Sequence, residues 1–207
     1  MSNETERLSG DILLEFLEIA IHTVVYSRRL YPDTIFVKKK LYGTPVYCSI
    51  HPEVNSYITE SLKGIQELIK KNEVKKVCVV FCDKNTLPID KIVFDVLALY
   101  SRLVVGDSYF IHTEESLRAA LLKISHTCRT LKELPEDASF LIQVHTTETA
   151  SLTLTDDPNN QEDFPWIEAE RKCTDIVDGE IVPVREIDTD YLHLEVYALQ
   201  TAKKSTN

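Results

Sequence analysis

The chain has 207 residues, 43% of them hydrophobic and 27% charged, with a formal net charge of −10. That is the size and composition of one soluble globular domain with a real core, and the acidic balance argues against an obligate nucleic-acid binder, whose field must attract phosphates. Five cysteines (48, 78, 82, 128, 173) without a CxxC pair fit a reducing compartment, the polar Met1 to Gly10 lacks the apolar run of a signal peptide, and no apolar run approaches a membrane span.

From Asp11 to about Leu30 the spacing predicts a helix. Ile12, Phe16 and Ile19 form one row and Leu13, Leu17, Ala20 and Val24 a second, so apolar residues cover most of its circumference and it belongs in the core. Tyr31-Pro32 ends it, because the residue before proline is pushed out of the helical region. Ile35 to Val37 reads as a short strand and Lys38-Lys39-Lys40 as a basic turn. His51-Pro52-Glu53 opens a second helix to about Lys71, with Val54, Tyr57, Ile58, Leu62, Ile65, Leu68 and Ile69 as one apolar stripe. Gly64 inside that stripe costs about 1 kcal/mol against alanine.

Val77 to Cys82 is a near-continuous β-rich run, the pattern of a central strand, and Asp83 to Pro88 a turn. Ile89 to Ala98 contains the next strand. A third helix is expected over Thr113 to Leu134, with Leu117, Leu121, Ile124, Cys128 and Leu131 as its seam. Phe140 to Thr147 is another strand. After Thr147 the pattern degrades, with a loop signal at Asp156 to Asn160. Ile181 to Ile187 and Tyr191 to Leu199 are the last strands, the second placing Leu192, Leu194, Val196 and Ala198 on one face. The whole is α+β, with helices on one face of a mainly antiparallel sheet.

Charge is segregated along this order. Residues 133–195 carry seventeen Asp and Glu against three Lys and Arg. The lone tryptophan sits inside this stretch, in Asp163-Phe164-Pro165-Trp166, and a large aromatic there needs apolar company from the core, from a partner, or from both. Together with Phe164, Tyr191 and Tyr197 it makes partner binding slightly the better reading than core packing alone.

Catalytic motifs are absent: no GxGxxG or GxxxxGK[ST] phosphate cradle, no HExxH, no GxSxG. Cys78 and Cys82 share a strand face, but no His or Cys partners stand at metal-ligand spacing, and buried structural thiols are the better reading. His22 and His145 read as satisfied core or edge residues. Lys38 to Lys40 with Arg28-Arg29 read as a solvated turn rather than a DNA patch, since no aromatics interleave them. A small thiol enzyme using Cys48, Cys78 or Cys128 is the alternative from a different class.

Five segments carry a further signal: Asp11 to Pro32, His51-Pro52-Glu53-Val54-Asn55-Ser56-Tyr57, Leu117 to Ser125, Val144-His145-Thr146 and Asp163-Phe164-Pro165-Trp166-Ile167. In this order and spacing the chain resembles the HORMA-domain family, nearest to its mitotic-arrest-deficient-like adaptors, the accessory subunits of translesion DNA polymerase zeta. The resemblance implies a flexible 1–10, a HORMA domain over 11–200 (core 11–146, mobile safety belt 147–200) and a flexible 201–207. It implies no catalysis and no cofactor. Tyr57 and Trp166 would line the site for a proline-containing peptide of the polymerase-zeta catalytic subunit. Ile181, Pro183, Glu195 and Tyr197 match the face that takes a Y-family deoxycytidyl transferase scaffold. Arg118 matches a position of self-association, a homodimer, and Lys38 a basic position near it. DNA end-protection factors and a HORMA-remodelling ATPase are further implied partners, with a nuclear, also cytoplasmic, location and a role in the DNA damage response. A spindle-checkpoint HORMA protein is the rival within the same fold.

Overall fold

The computed structural model describes residues 2–100, 110–148, 166–176 and 178–201. Its first helix, α1 (Ser2–Ser27), starts nine residues before Asp11, through the stretch expected to be a flexible lead-in. Gly10 does not break it. It is buried against Ile69, where an added Cβ would come within 3.0 Å of the Ile69 Cγ2. Leu13, Phe16, Leu17, Ala20, Ile21, Val24 and Val25 are all fully buried, so both apolar rows are used and α1 is the central helix. Each such side chain contributes roughly 1.5–3 kcal/mol of burial if large.

α1 ends before Arg28, and a 3₁₀ turn over Asp33–Ile35 leads into β1 (Phe36–Leu41), which pairs antiparallel with β2 (Thr44–Ser49). The three lysines are therefore strand residues, not a turn. The turn is Tyr42-Gly43, both at positive φ (47° and 67°), the geometry that a two-residue hairpin requires. β2 lacked a clear signal because Pro45 interrupts its alternation. α2 (Pro52–Lys70) has proline in its first turn and the expected stripe inward.

The main sheet holds β3 (Val74–Cys82), β4 (Pro88–Leu99), β5 (Ser139–Thr146), β6 (Gly179–Asp188) and β7 (Leu192–Thr201) in the order β5-β3-β4-β7-β6, every pair antiparallel. α1, α2 and α3 (Ile111–Thr130) pack on one face, over Val77, Val79, Phe81, Ile92, Phe94, Leu194 and Val196. The opposite, back face carries its own buried cluster of Cys78, Val80, Cys82 and Val93, with Leu141, Tyr197 and Leu199 packed beside it.

α3 stops four residues short of the expected Leu134. The reason is Arg28. Its Nη1 donates to the Cys128 carbonyl (3.0 Å) and its Nη2 to the Lys132 carbonyl (2.6 Å), so a cation satisfies carbonyls at the helix C-terminus that further turns would have used. Nη2 also bonds Asp90 Oδ2 at 2.7 Å, and the guanidinium lies 5.6 Å from the Phe81 ring centroid. Both charged residues are buried, at 5% and 1% exposure. Arg28 is thus a core cation, unavailable to any basic surface patch.

His22 is buried on α1 and its Nδ1 accepts the Ser49 N–H of β2 at 3.3 Å. Burial, helped by the positive Lys39, pushes its pKa from 6.5 down to about 4. The folded state therefore resists a proton that the unfolded chain takes at 6.5. The stability this group supplies is complete above pH 6.5 and is lost as pH falls through about 4. Denaturation midpoints measured from pH 7.5 to 4 should fall in this window, and His22→Gln should flatten that fall. Parallel curves for the two chains would exclude His22 as the titrating group.

Candidate functional site

β5 is one edge of the sheet, and one of its free N–H groups has been given a partner. Ile142 N–H donates to Tyr57 Oη at 2.9 Å, so in an antiparallel ladder the alternate residues Phe140 and Val144 also turn their main chain outward. Burial raises the Tyr57 pKa, with the Ile142 hydrogen bond acting against it, and the phenol remains neutral. Its ring meets Phe140 edge-on (centroids 5.5 Å, 77°), and Phe140 meets Tyr31 in the same way (6.3 Å, 79°). These three aromatics line an open groove of about 500 Å³ with Pro32, Ile35 and Val54, at the start of α2.

Trp166 lies on the same ridge of α2. Its indole sits on Gly64, two helical turns from Tyr57 and so roughly 10 Å along the axis. A Cβ at Gly64 would stand 2.8 Å from the indole Nε1 and 3.0 Å from Cζ2. The glycine that looked like a cost to the helix is the seat of the tryptophan. The company Trp166 needs comes from the core side, against which it is partly buried. Asp163 to Pro165 of its motif, and 149–162 before it, lie outside the described residues.

The chain then crosses to the other side of the sheet. The short helix α4 (Arg171–Thr174) lies on the back face, where the Cys173 carbonyl accepts from Gln143 Nε2 and the Thr174 carbonyl from Lys91 Nζ, both at 3.0 Å. Residues 166–173 therefore run from α2, on one face of the sheet, to Cys173 on its back face, at the side of the sheet where β5 is the edge strand. Beneath this segment, on the back face, Gln143 Oε1 is buried without a hydrogen-bond partner.

The second group of expected residues is also brought together, on β6 and β7. Tyr197 pairs with Pro183 and Val93, and Glu195 with Asp95. Ile181 is 62% exposed, the largest exposure of an apolar side chain on this sheet. Lys76 Nζ bonds both Asp95 and Tyr197 Oη and lies 5.7 Å from the Tyr197 ring, fixing it in place. Asp95 holds the Lys76 pKa above its ordinary value. Arg118, half-buried on α3, turns toward the hairpin tip, its Nη1 within 3.5 Å of where a Cβ on Gly43 would stand, and Lys38 is exposed on β1.

Four of the five thiols are buried, and burial pushes Cys78 and Cys82 up to about 11 and Cys128 to about 12, so they are protonated and weakly nucleophilic at neutral pH. Among the described residues no group of three or more His, Cys, Asp or Glu is placed to hold a metal ion, and no helix is long and apolar enough to cross a membrane.

Residues 9–95 match the HORMA domain. Across 197 residues the chain is 38% identical to the mitotic spindle assembly checkpoint protein MAD2B of Bos taurus, covering 95% of this chain and 93% of that one. The chain belongs to the HORMA-domain family, in its MAD2B branch. DNA polymerase zeta subunit 2 of Drosophila melanogaster is 28% identical over 165 residues, 79% of this chain and 82% of its own length. Among solved structures, C. elegans HTP-2 bound to the HIM-3 closure motif superimposes with a TM-score of 0.70 at 10% identity, covering 93% of this chain and 89% of that chain. The three helices on an antiparallel sheet are thus a HORMA fold, as the sequence resemblance implied.

Sequence reasoning missed Tyr31 and Phe140 as groove residues and Gly64 as the tryptophan's seat. A glycine inside a clean helical stripe was the available signal, since such a residue marks close approach by another group.

Proposed function

We propose that this HORMA protein is a non-catalytic adaptor that captures a proline-containing peptide along β5, beneath a belt formed by residues from about 147 onward. The observation that carries this reading is that residues 166–173 leave the α2 side of the sheet and reach its back, on the side where β5 is the edge strand. A peptide laid along β5 gains ladder hydrogen bonds from the outward main chain of Phe140 and Val144, and the neighbouring side chains choose its sequence. Tyr31, Tyr57 and Phe140 supply the ring faces on which proline packs. Wrapping slows release more than it speeds encounter.

The polymerase assignment rests on kinship with the zeta subunits. On it, the peptide comes from the catalytic subunit of DNA polymerase zeta. The face of Ile181, Pro183, Glu195 and Tyr197 takes the Y-family deoxycytidyl transferase scaffold, in the nucleus. Self-association through α3 near Arg118 and Lys38 belongs to the same reading. Trp166 reports the capture: a proline-containing peptide of the polymerase subunit should shift its emission and shield it from a soluble quencher. Unchanged emission at a saturating peptide concentration, with the same peptide retained on the protein by pull-down, would remove Trp166 from the site. No retention would remove the function.

The two faces lie on opposite sides of the sheet's length and should separate. Ile181→Asp or Tyr197→Ala is expected to weaken the second partner about tenfold or more, as for a hot-spot aromatic or apolar anchor, and to leave peptide capture unchanged. Equal loss of both interactions in a chain with unaltered circular dichroism would contradict two separate faces.

A further inference from the structure

We propose that Cys82 and Cys173 form a reversible disulfide that staples the segment after β5 to the back face of the sheet. Three contacts place Cys173. Its carbonyl meets Gln143 of β5, the next carbonyl meets Lys91 of β4, and its sulfur stands 3.8 Å from Thr86 Oγ1. β5 and β4 flank β3, so Cys173 lies over β3. Thr86 belongs to the turn just after Cys82, tied back to Asp83 by its N–H at 3.0 Å. The thiol is therefore directed to the Cys82 end of the strand. Gln143, opposite Cys78, is met by the carbonyl instead. Cys82 faces the same side, in the back-face cluster. The sulfurs are near enough that a charge on Cys173 adds to the upward shift that burial imposes on Cys82.

The chemistry follows from accessibility. Cys173 is partly exposed and Cys82 is fully buried. A peroxide meets Cys173 first: the sulfur attacks one oxygen, the O–O bond breaks, and sulfenic acid and water result. The Cys82 sulfur then attacks the Cys173 sulfur, the S–O bond breaks, and the thiol proton leaves with hydroxide as a second water. Two thiols lose two electrons and two protons, and the peroxide is reduced to two waters. A buried, protonated Cys82 attacks slowly, so the staple answers sustained oxidant rather than a brief pulse.

The cross-link would hold residues 166–176 on the sheet. Its effect on a captured peptide rests on the belt reading above; its formation does not. The full chain treated with hydrogen peroxide should lose two hydrogens in intact mass, with a Cys82–Cys173 peptide in the digest, reversed by dithiothreitol. Amide exchange in residues 166–176 should slow about thirtyfold or more, the low end of what closing a long loop supplies. Cys173→Ser, at a partly exposed position, should show neither change. No mass loss, a Cys78–Cys173 bridge, a bridge that persists in Cys82→Ala, or unchanged exchange in the bridged chain would each overturn the staple. Slower peptide release from the oxidised chain supports its extension to capture. A reduced chain that binds no peptide would count against the adaptor function alone, because mass and exchange decide the staple without it.

Discussion

Arg28→Met is expected to destabilise the folded protein by about 3–5 kcal/mol, the cost of leaving a buried charge without its partner. Arg28 joins the end of α1, the start of β4 and the C-terminus of α3 through four acceptors or ring contacts, and its Nε and Asp90 Oδ1 already lack hydrogen bonds. Even with the guanidinium in place, burial pushes the Asp90 carboxyl up to about 6. Without it, Asp90 must be desolvated as an anion or take a proton. A folded pKa raised above the unfolded value means that the proton stabilises the fold, so the difference between variant and parent should be smaller at pH 5 than at pH 8. Taking that difference cancels the opposite trend of His22, which both chains share. Arg28→Met combined with Asp90→Leu should recover much of the loss, because no charge is then buried. Urea denaturation showing less than about 1 kcal/mol for Arg28→Met would mean that water reaches Asp90.

The second large effect concerns capture rather than stability. Trp166→Ala should weaken peptide binding by about 2–4 kcal/mol if the indole closes on the peptide as a hot spot. The same result should follow from a residue the peptide need not touch. Gly64→Leu fills the indole's seat, where even a Cβ comes within 2.8 Å of Nε1, and forces the ring off α2. In the helix itself the substitution is favourable by about 1 kcal/mol. That gain offsets the apolar contact the indole loses, so capture is expected to fall far more than stability, a signature that general unfolding cannot produce. Titration calorimetry with the polymerase peptide, beside thermal melts of both variants, checks it. Gly64→Leu binding as tightly as the parent would show that the seat on α2 plays no part in closure.

The α1 and α2 stripes, the apolar runs of β3 and β7 and the resemblance in five short segments were enough to read a HORMA fold from the sequence. Those signals are local: a helix or strand buries one face, and its own periodicity records which. The lysine strand β1 misled because Val37 to Lys40 are all exposed and show no alternation, while the buried side chains of the hairpin, Val46 and Cys48, are on its partner β2. Arg28 misled for the opposite reason. A single buried cation has the same local pattern as a solvated one, and the carbonyls of Cys128 and Lys132 that hold it are a hundred residues away.

The candidate site divides in the same way. Tyr57 and Trp166 were named by resemblance, and Ile181, Pro183, Glu195 and Tyr197 with them, but only tertiary structure set each group on a common surface. Sequence by itself determined the class of fold, the central helix, and the acidic stretch in which the single tryptophan had to find apolar company. Tertiary structure decided where that company lies, on Gly64, and that the chain goes on to the back of the sheet, over Gln143 and Lys91. Register, strand order and the side of a sheet on which a segment returns depend on contacts between distant residues, and no local pattern encodes them.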